Sequence, residues 1–143
     1  MNLKDSYMLN KIKDPGGVQF WSLKGKRMKC KPVHVYDGDT IHVIIMMNDK
    51  PCKWRVRMLG YDSPEMKPPL AQENREDEIR AAKEARDTLS DWILNKIVDI
   101  DFGDFDKYGR PLGTLYINGI NVNEWMVDNR YGVPYHGGTK NKY

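Results

Sequence analysis

Four short polar stretches of this 143-residue chain carry side chains able to act together on a phosphate. They are Asp37-Gly38-Asp39-Thr40, Arg57, Asp62-Ser63-Pro64-Glu65 and Asp106-Lys107-Tyr108-Gly109-Arg110. Together they supply a set of carboxylates and two arginines (Arg57, Arg110). Carboxylate oxygens gather hard cations such as Ca²⁺. The planar fork of arginine binds phosphate oxygens in pairs. A metal, a base and two phosphate clamps are what phosphodiester hydrolysis requires. Each stretch also has a plain structural reading. D-G-D-T is a common turn. Ser63 could cap a helix with Pro64 in its first turn. Arg57 could be an exposed strand residue, and K-Y-G-R a surface loop. The chemical sense lies in the set.

The surrounding elements must position these groups. Residues 31–47, KPVHVYDGDTIHVIIMM, read as two strand segments around Asp37 to Thr40, or as one long bent strand. The alternation in 52–62 predicts another strand, with Val56 and Met58 on one face and Arg55 and Arg57 on the other. Gly60 marks a bulge or a close backbone approach. Residues 66–75 read as a proline-stiffened loop. Ile79, Ala82, Ala85, Leu89, Trp92 and Ile93 then recur at helical spacing. Glu76, Asp77 and Glu78 suit the N-terminus of that helix. Strands are expected over 96–102 and 111–117, and Asn118-Gly119 is a strong hairpin signal. A short helix is expected over 121–130, then loop and tail. Strands in threes and twos separated by one helix predict a mainly β, α+β fold. That order is the one of a five-stranded OB-type barrel carrying two helices.

Composition sets wider bounds. The length suits one domain with a sizeable core. No stretch approaches a membrane span, and the first twenty residues lack the apolar run of a signal peptide. An intracellular, viral or plasmid-encoded protein is therefore favoured over a secreted one. Cys30 and Cys52 make neither a disulfide framework nor a zinc pattern, and two reduced thiols are expected. Residues 1–36 carry a net +6 of the overall +3, so a basic arm precedes a slightly acidic body. Such an arm suits a polyanionic partner or simply aids solubility. Residues 1–28 look weakly organised, with Pro15-Gly16-Gly17 breaking any early helix. Phe20, Trp21 and Leu23 are too apolar for a free tail. The arm (1–28) is expected to pack in part on the body (29–143). His34, His42 and His136 have no ligand spacing, and Trp54 and Trp92 read as core.

The motifs YDGDT, RMLGYDSPE and DKYGR, followed by GINVNEWMV, resemble the staphylococcal nuclease (thermonuclease) family in order and spacing, over about Lys31 to Tyr135. The resemblance implies a five-stranded OB-like barrel with helices packed against it and a calcium-dependent nuclease activity. Asp39 and Asp62 match the family's Ca²⁺ ligands, and Ser63 stands where the family offers a backbone carbonyl. Glu65 matches the general base or water-positioning glutamate. Arg57 and Arg110 match the two catalytic arginines. Lys107 and Tyr108 match residues that touch a terminal nucleotide phosphate, and Tyr135 a tyrosine lying against the nucleotide. The implied substrates are DNA and RNA, cut with little sequence preference to leave 3′-phosphates; a monomer is expected.

Two departures and two rivals accompany that resemblance. Family members commonly carry a further C-terminal helix under the barrel; none is legible here after 121–130. Phe20, Trp21 and Leu23 of the arm are expected to cover part of that surface. Ser63 replaces the usual Thr, a mild change for a carbonyl ligand. One rival is the same barrel serving as a non-catalytic nucleic-acid or protein binding module, but such a module would be expected to lack some of these carboxylates or arginines. The other, a structural Ca²⁺ domain, leaves both arginines unexplained.

Overall fold

The computed structural model describes residues 2–137, and the tail expected beyond them lies outside the described residues. Five long strands form the body. They are β1 (Arg27–Asp37), β2 (Thr40–Met47), β3 (Lys50–Met58), β5 (Val98–Phe105) and β6 (Pro111–Ile117). Two-residue strands β4 (Tyr61–Asp62), β7 (Ile120–Asn121) and β8 (Val133–Pro134) complete the set. The helices are α1 (Leu3–Asn10), α2 (Arg75–Ile93) and α3 (Val122–Asp128). No helix is long and apolar enough to cross a membrane among the described residues.

The strands run in the spatial order β3-β2-β1-β5-β6, and a parallel pairing of β3 with β6 closes them into a barrel. Antiparallel hairpins make the rest. Residues 31–47 are thus two strands joined at Gly38-Asp39, not one bent strand. Two further hairpins turn on residues with positive φ at both central positions: Asn48 and Asp49 (51° and 64°), and Asn118 and Gly119 (50° and 78°). Asn and Gly tolerate that backbone, and its twist suits a two-residue hairpin.

Alternation sends Val35, Ile41, Val43, Ile45, Val56, Met58, Ile100 and Leu115 into the barrel, all buried. Helix α2 lays Ala82, Ala85, Leu89 and Ile93 on this core, as its periodicity predicts. Trp92 meets Trp125 edge-on with centroids 4.9 Å apart. Cys30 is buried and Cys52 half-buried, both as free thiols.

The arm differs from expectation. It contains the helix α1, which is capped by Asn2 through the Asp5 N–H and buries no residue. The arm thus adds a helix to the two, α2 and α3, that pack on the barrel as expected. Within the apolar cluster the roles divide. Leu23 is core at 1% exposure, Trp21 stacks on Trp54 with centroids 5.9 Å apart, and Phe20 stands in solvent at 99%. Trp54 is half-buried against Trp21 and Phe105 rather than enclosed.

Candidate active site

Barrel closure brings the polar stretches together. Thr40 pairs with Arg57 across β2 and β3, and Arg57 pairs with Leu112 across β3 and β6. Asp39, just before β2, and Arg110, just before β6, thereby flank Arg57. A cleft of about 1060 Å³ lies over this junction. All nine sequence-predicted residues line it: Asp39, Arg57, Asp62, Ser63, Glu65, Lys107, Tyr108, Arg110 and Tyr135.

Arg57 is the hub. Its Nη1 donates to the Tyr61 carbonyl at 2.8 Å and lies 3.3 Å from Asp39 Oδ2, while Nη2 is ion-paired with Asp62 Oδ1. Asp39 is also held by the Ser63 N–H at 2.8 Å and by the Thr40 hydroxyl at 3.1 Å. Both aspartates and Ser63 are buried. This arrangement replaces the helix-cap reading of D-S-P-E: no helix starts there, and α2 begins at Arg75.

Gly38 has a different role from the strained backbone expected at a tight turn, since its φ is not positive. Its need is space. A Cβ there would lie 2.7 Å from Ser63 Cβ and 2.9 Å from Ala85 Cβ. The turn is pressed against the Asp62-Ser63 segment, and the Tyr61 hydroxyl donates to the Gly38 carbonyl at 2.6 Å. At Gly60 the converse holds: φ is +94° and the space beside it is open, so conformation rather than approach selects glycine there.

The second arginine is set by its own loop. Asp106 accepts from the backbone N–H of Tyr108 and of Arg110, both at 2.9 Å, and from Arg110 Nε at 2.7 Å. Arg110 Nη1 then reaches Thr40 Oγ1 at 3.4 Å. Burial alone would raise the Asp106 pKa, but these donors hold it below the ordinary carboxylate range. Tyr108 is 73% exposed, and Lys107 lies over its ring. Tyr135 is tied through its N–H to the Gly60 carbonyl at 2.9 Å, and its ring is 6.0 Å from the Arg57 guanidinium.

Two contributors, Glu78 and Asn123, carried no local signal, and Asp37, within the D-G-D-T stretch, joins them. Glu78, one of the helix-start acids, accepts from the Glu65 N–H at 2.9 Å and from Gln72 Nε2 at 2.8 Å, which ties the Glu65 segment to α2. Asn123 is buried; it accepts from the Leu115 N–H and donates to the carbonyls of Leu59 and Gly113. It thus joins α3 to the seam where β3 meets β6. Asp37 accepts from the Asp39 N–H at 3.0 Å; burial and the negative Asp39 beside it raise its pKa to about 7.

The buried side chains that could hold a cation here, Asp39 and Asp62, offer oxygen alone. No group of three or more His, Cys, Asp or Glu side chains gathers as a metal site among the described residues. Such a sparse, hard set fits a cation of the Ca²⁺ type that takes further oxygens from water and from a ligand. It suits neither a closed structural site nor a soft metal.

Comparison with known proteins finds relatives of this chain. A family model described as staphylococcal nuclease homologue matches residues 55–142. A probable staphylococcal-like nuclease of Oryza sativa subsp. japonica is 36% identical over 90 residues, 63% of this chain and 21% of its own. An uncharacterized endonuclease of Escherichia coli O157:H7 is 32% identical over 108 residues, 75% of this chain and 61% of its own. An uncharacterized protein of Bacillus anthracis is 36% identical over 115 residues, 78% and 50% of the two chains. The chain thus spans about a fifth to three fifths of the length of these relatives. The match covers most of the chain, including Arg57, Asp62, Glu65 and Arg110. This chain belongs to the staphylococcal nuclease homologue family.

Proposed function

We propose that this chain is a calcium-dependent nuclease that hydrolyses phosphodiester bonds of DNA and RNA with little sequence preference. The observation that carries the reading is the meeting of Arg57, Arg110 and Glu65 with the buried Asp39 and Asp62 in one cleft. Family membership supports nuclease chemistry, and relatives named as nucleases or endonucleases point the same way.

Arg57 and Arg110 bind non-bridging oxygens of the scissile phosphate and stabilise the charge that builds on them. Removing one such donor typically costs about 10²–10³ in rate. Glu65 orients a water in line with the phosphorus and accepts its proton, a role worth roughly 10²–10⁴. The new bond is phosphorus to water oxygen; the bond broken is phosphorus to the 5′ oxygen. That oxygen leaves as a hydroxyl with a proton from solvent, and the phosphate stays on the 3′ side. When bound by Asp39, Asp62 and the Ser63 carbonyl, Ca²⁺ supplies further positive charge to the phosphate. Lys107 and Tyr108 hold the neighbouring phosphate, and Tyr135 packs along the nucleotide. These contacts read phosphate rather than base edges, so sequence preference is weak.

Digestion of plasmid DNA and of a labelled RNA, in Ca²⁺ and in chelator, tests the reading against Glu65→Ser and Arg57→Gly. Calcium-dependent cutting by the wild type, lost in both variants, is expected. A wild type that cuts no better in Ca²⁺ than the variants would overturn it in favour of a binding module.

A further inference from the structure

The outer face of the β2–β3 ribbon continues past the cleft with groups that the reaction above does not use. In its ladder Thr40 faces Arg57, His42 faces Arg55, and Ile44 faces Lys53. Residues two apart on a strand share a face, so Arg57, Arg55 and Lys53 stand in single file along β3. Their step is about 6.6–6.8 Å from the strand rise, the scale of one nucleotide in an extended strand.

A second cavity of about 400 Å³ opens beside this file, lined by His42, Lys53, Trp54 and Arg55. Tyr108 and Arg110 line its near end and also line the main cleft, so the two cavities meet at that loop. No carboxylate among the described residues lines the second cavity. Several cations elsewhere on the barrel are paired: Arg27 and Lys29 with Asp99, and Lys24 with Asp104. Lys53 and Arg55 have no such partner among the described residues. The field is felt at His42, whose pKa is lowered by burial and then by His34, Arg55 and Lys53.

We propose that His42, Lys53 and Arg55, with Tyr108 at the junction, form a second nucleic-acid subsite that holds the backbone of a single strand running out of the cleft along β3. Lys53 and Arg55 take successive phosphates, and the exposed Tyr108 ring offers a stacking surface where the strand leaves the cleft. The occupant follows from charge complementarity, from the spacing and from continuity with the cleft. Its identity as nucleic acid rests on the nuclease reading.

The test is binding of fluorescein-labelled oligothymidylates of 12 and 3 nucleotides, measured by anisotropy in chelator so that nothing is cut. Lys53→Gln/Arg55→Gln is compared with the wild type and with the equal charge change Lys83→Gln/Lys96→Gln, each checked by thermal midpoint. Both pairs are exposed, so folding should survive. The Lys53→Gln/Arg55→Gln variant is expected to bind the 12-mer about tenfold more weakly. Its log–log salt slope should fall by roughly 1.4, at about 0.7 per phosphate contact. The 3-mer, which fits within the cleft, should bind unchanged, and Lys53→Arg/Arg55→Lys should restore the 12-mer. Loss no greater than in the control pair, or a wild type that binds both lengths alike, would overturn the subsite. If the wild type cuts in Ca²⁺ and the length contrast is missing, the subsite alone falls. If the contrast holds and nothing is cut, the nuclease reading falls and the subsite stands.

Discussion

Arg57 stands between two buried aspartates, 3.3 Å from Asp39 Oδ2 and ion-paired with Asp62. Its side chain is only 12% exposed, so it serves as their internal counter-ion. Removing one partner of such a buried set costs about 3–5 kcal/mol, because the remaining charges are left uncompensated. Arg57→Gln should therefore lower the urea midpoint in chelator. Added Ca²⁺ should restore more stability to the variant than to the wild type. Equal responses to Ca²⁺ would show that guanidinium and cation do not share the same carboxylates.

Gly38→Ala should damage the site through contact rather than backbone strain. The new methyl meets Ser63 Cβ and Ala85 Cβ below 3.0 Å. Overpacking of this kind costs about 1–3 kcal/mol, and it pushes Asp39 away from the Ser63 N–H. Gly38→Ala/Ala85→Gly removes one of the two clashes and should recover part of the thermal midpoint. Simple additivity of the two losses would refute the contact account.

Glu78 acts through the Glu65 segment rather than on substrate. Glu78→Ala removes the acceptor for the Glu65 N–H and for Gln72 Nε2. A displacement of about 1 Å at a reacting group can cost about 10²-fold in rate. The predicted loss is in kcat, with KM little changed and with Glu78→Gln partly restoring it. A loss confined to KM would argue for a role in binding instead.

Asp106 gives the pH dependence. Its folded pKa lies below the ordinary aspartate value of 3.8, so its stabilising contribution is complete above that value. The contribution fades as pH falls through the lower, folded pKa. The gap in urea midpoint between wild type and Asp106→Asn should thus be constant from pH 7 to 5 and should narrow below about pH 4. A gap that persists unchanged at pH 2.5 would contradict this.

The arm should divide functionally at Leu23. Deleting residues 2–12 removes α1, which buries nothing, and should leave the thermal midpoint in place. Leu23→Ala should cost about 2–5 kcal/mol, as for other buried leucines. A midpoint that drops on the short deletion would show that α1 is tied to the body.

Much of this was legible from residue order because the decisive signals are local. Alternation places Val56 and Met58 inward and Arg57 outward, and the α2 stripe names its own buried face. The motif residues could be listed because each sits at a strand end or in a loop. Long-range relationships were not legible. Nothing near Glu78 tells that its carboxylate reaches the Glu65 N–H, thirteen residues back, instead of only serving the helix terminus. Nothing in N-V-N-E marks Asn123 as the side chain that satisfies the seam at Leu59, Gly113 and Leu115. Phe20 and Leu23 are equally apolar, and only the packed body decides that one is buried and the other is not. Gly38 reads as a turn glycine until α2 and the Ser63 segment are placed against it.

The parallel seam between β3 and β6 has one further consequence. It joins Arg57 to Leu112, while Tyr61 and Asp62 pair with Pro134 and Val133. The cleft therefore consists of pieces that lie up to about a hundred residues apart and have no shared geometry until the barrel shuts. A chain still emerging from the ribosome, with its first three strands already formed, holds Asp39 and Arg57 but no Arg110 opposite them. Cutting power, on the proposed reading, arrives abruptly and late, with the docking of β6 on β3.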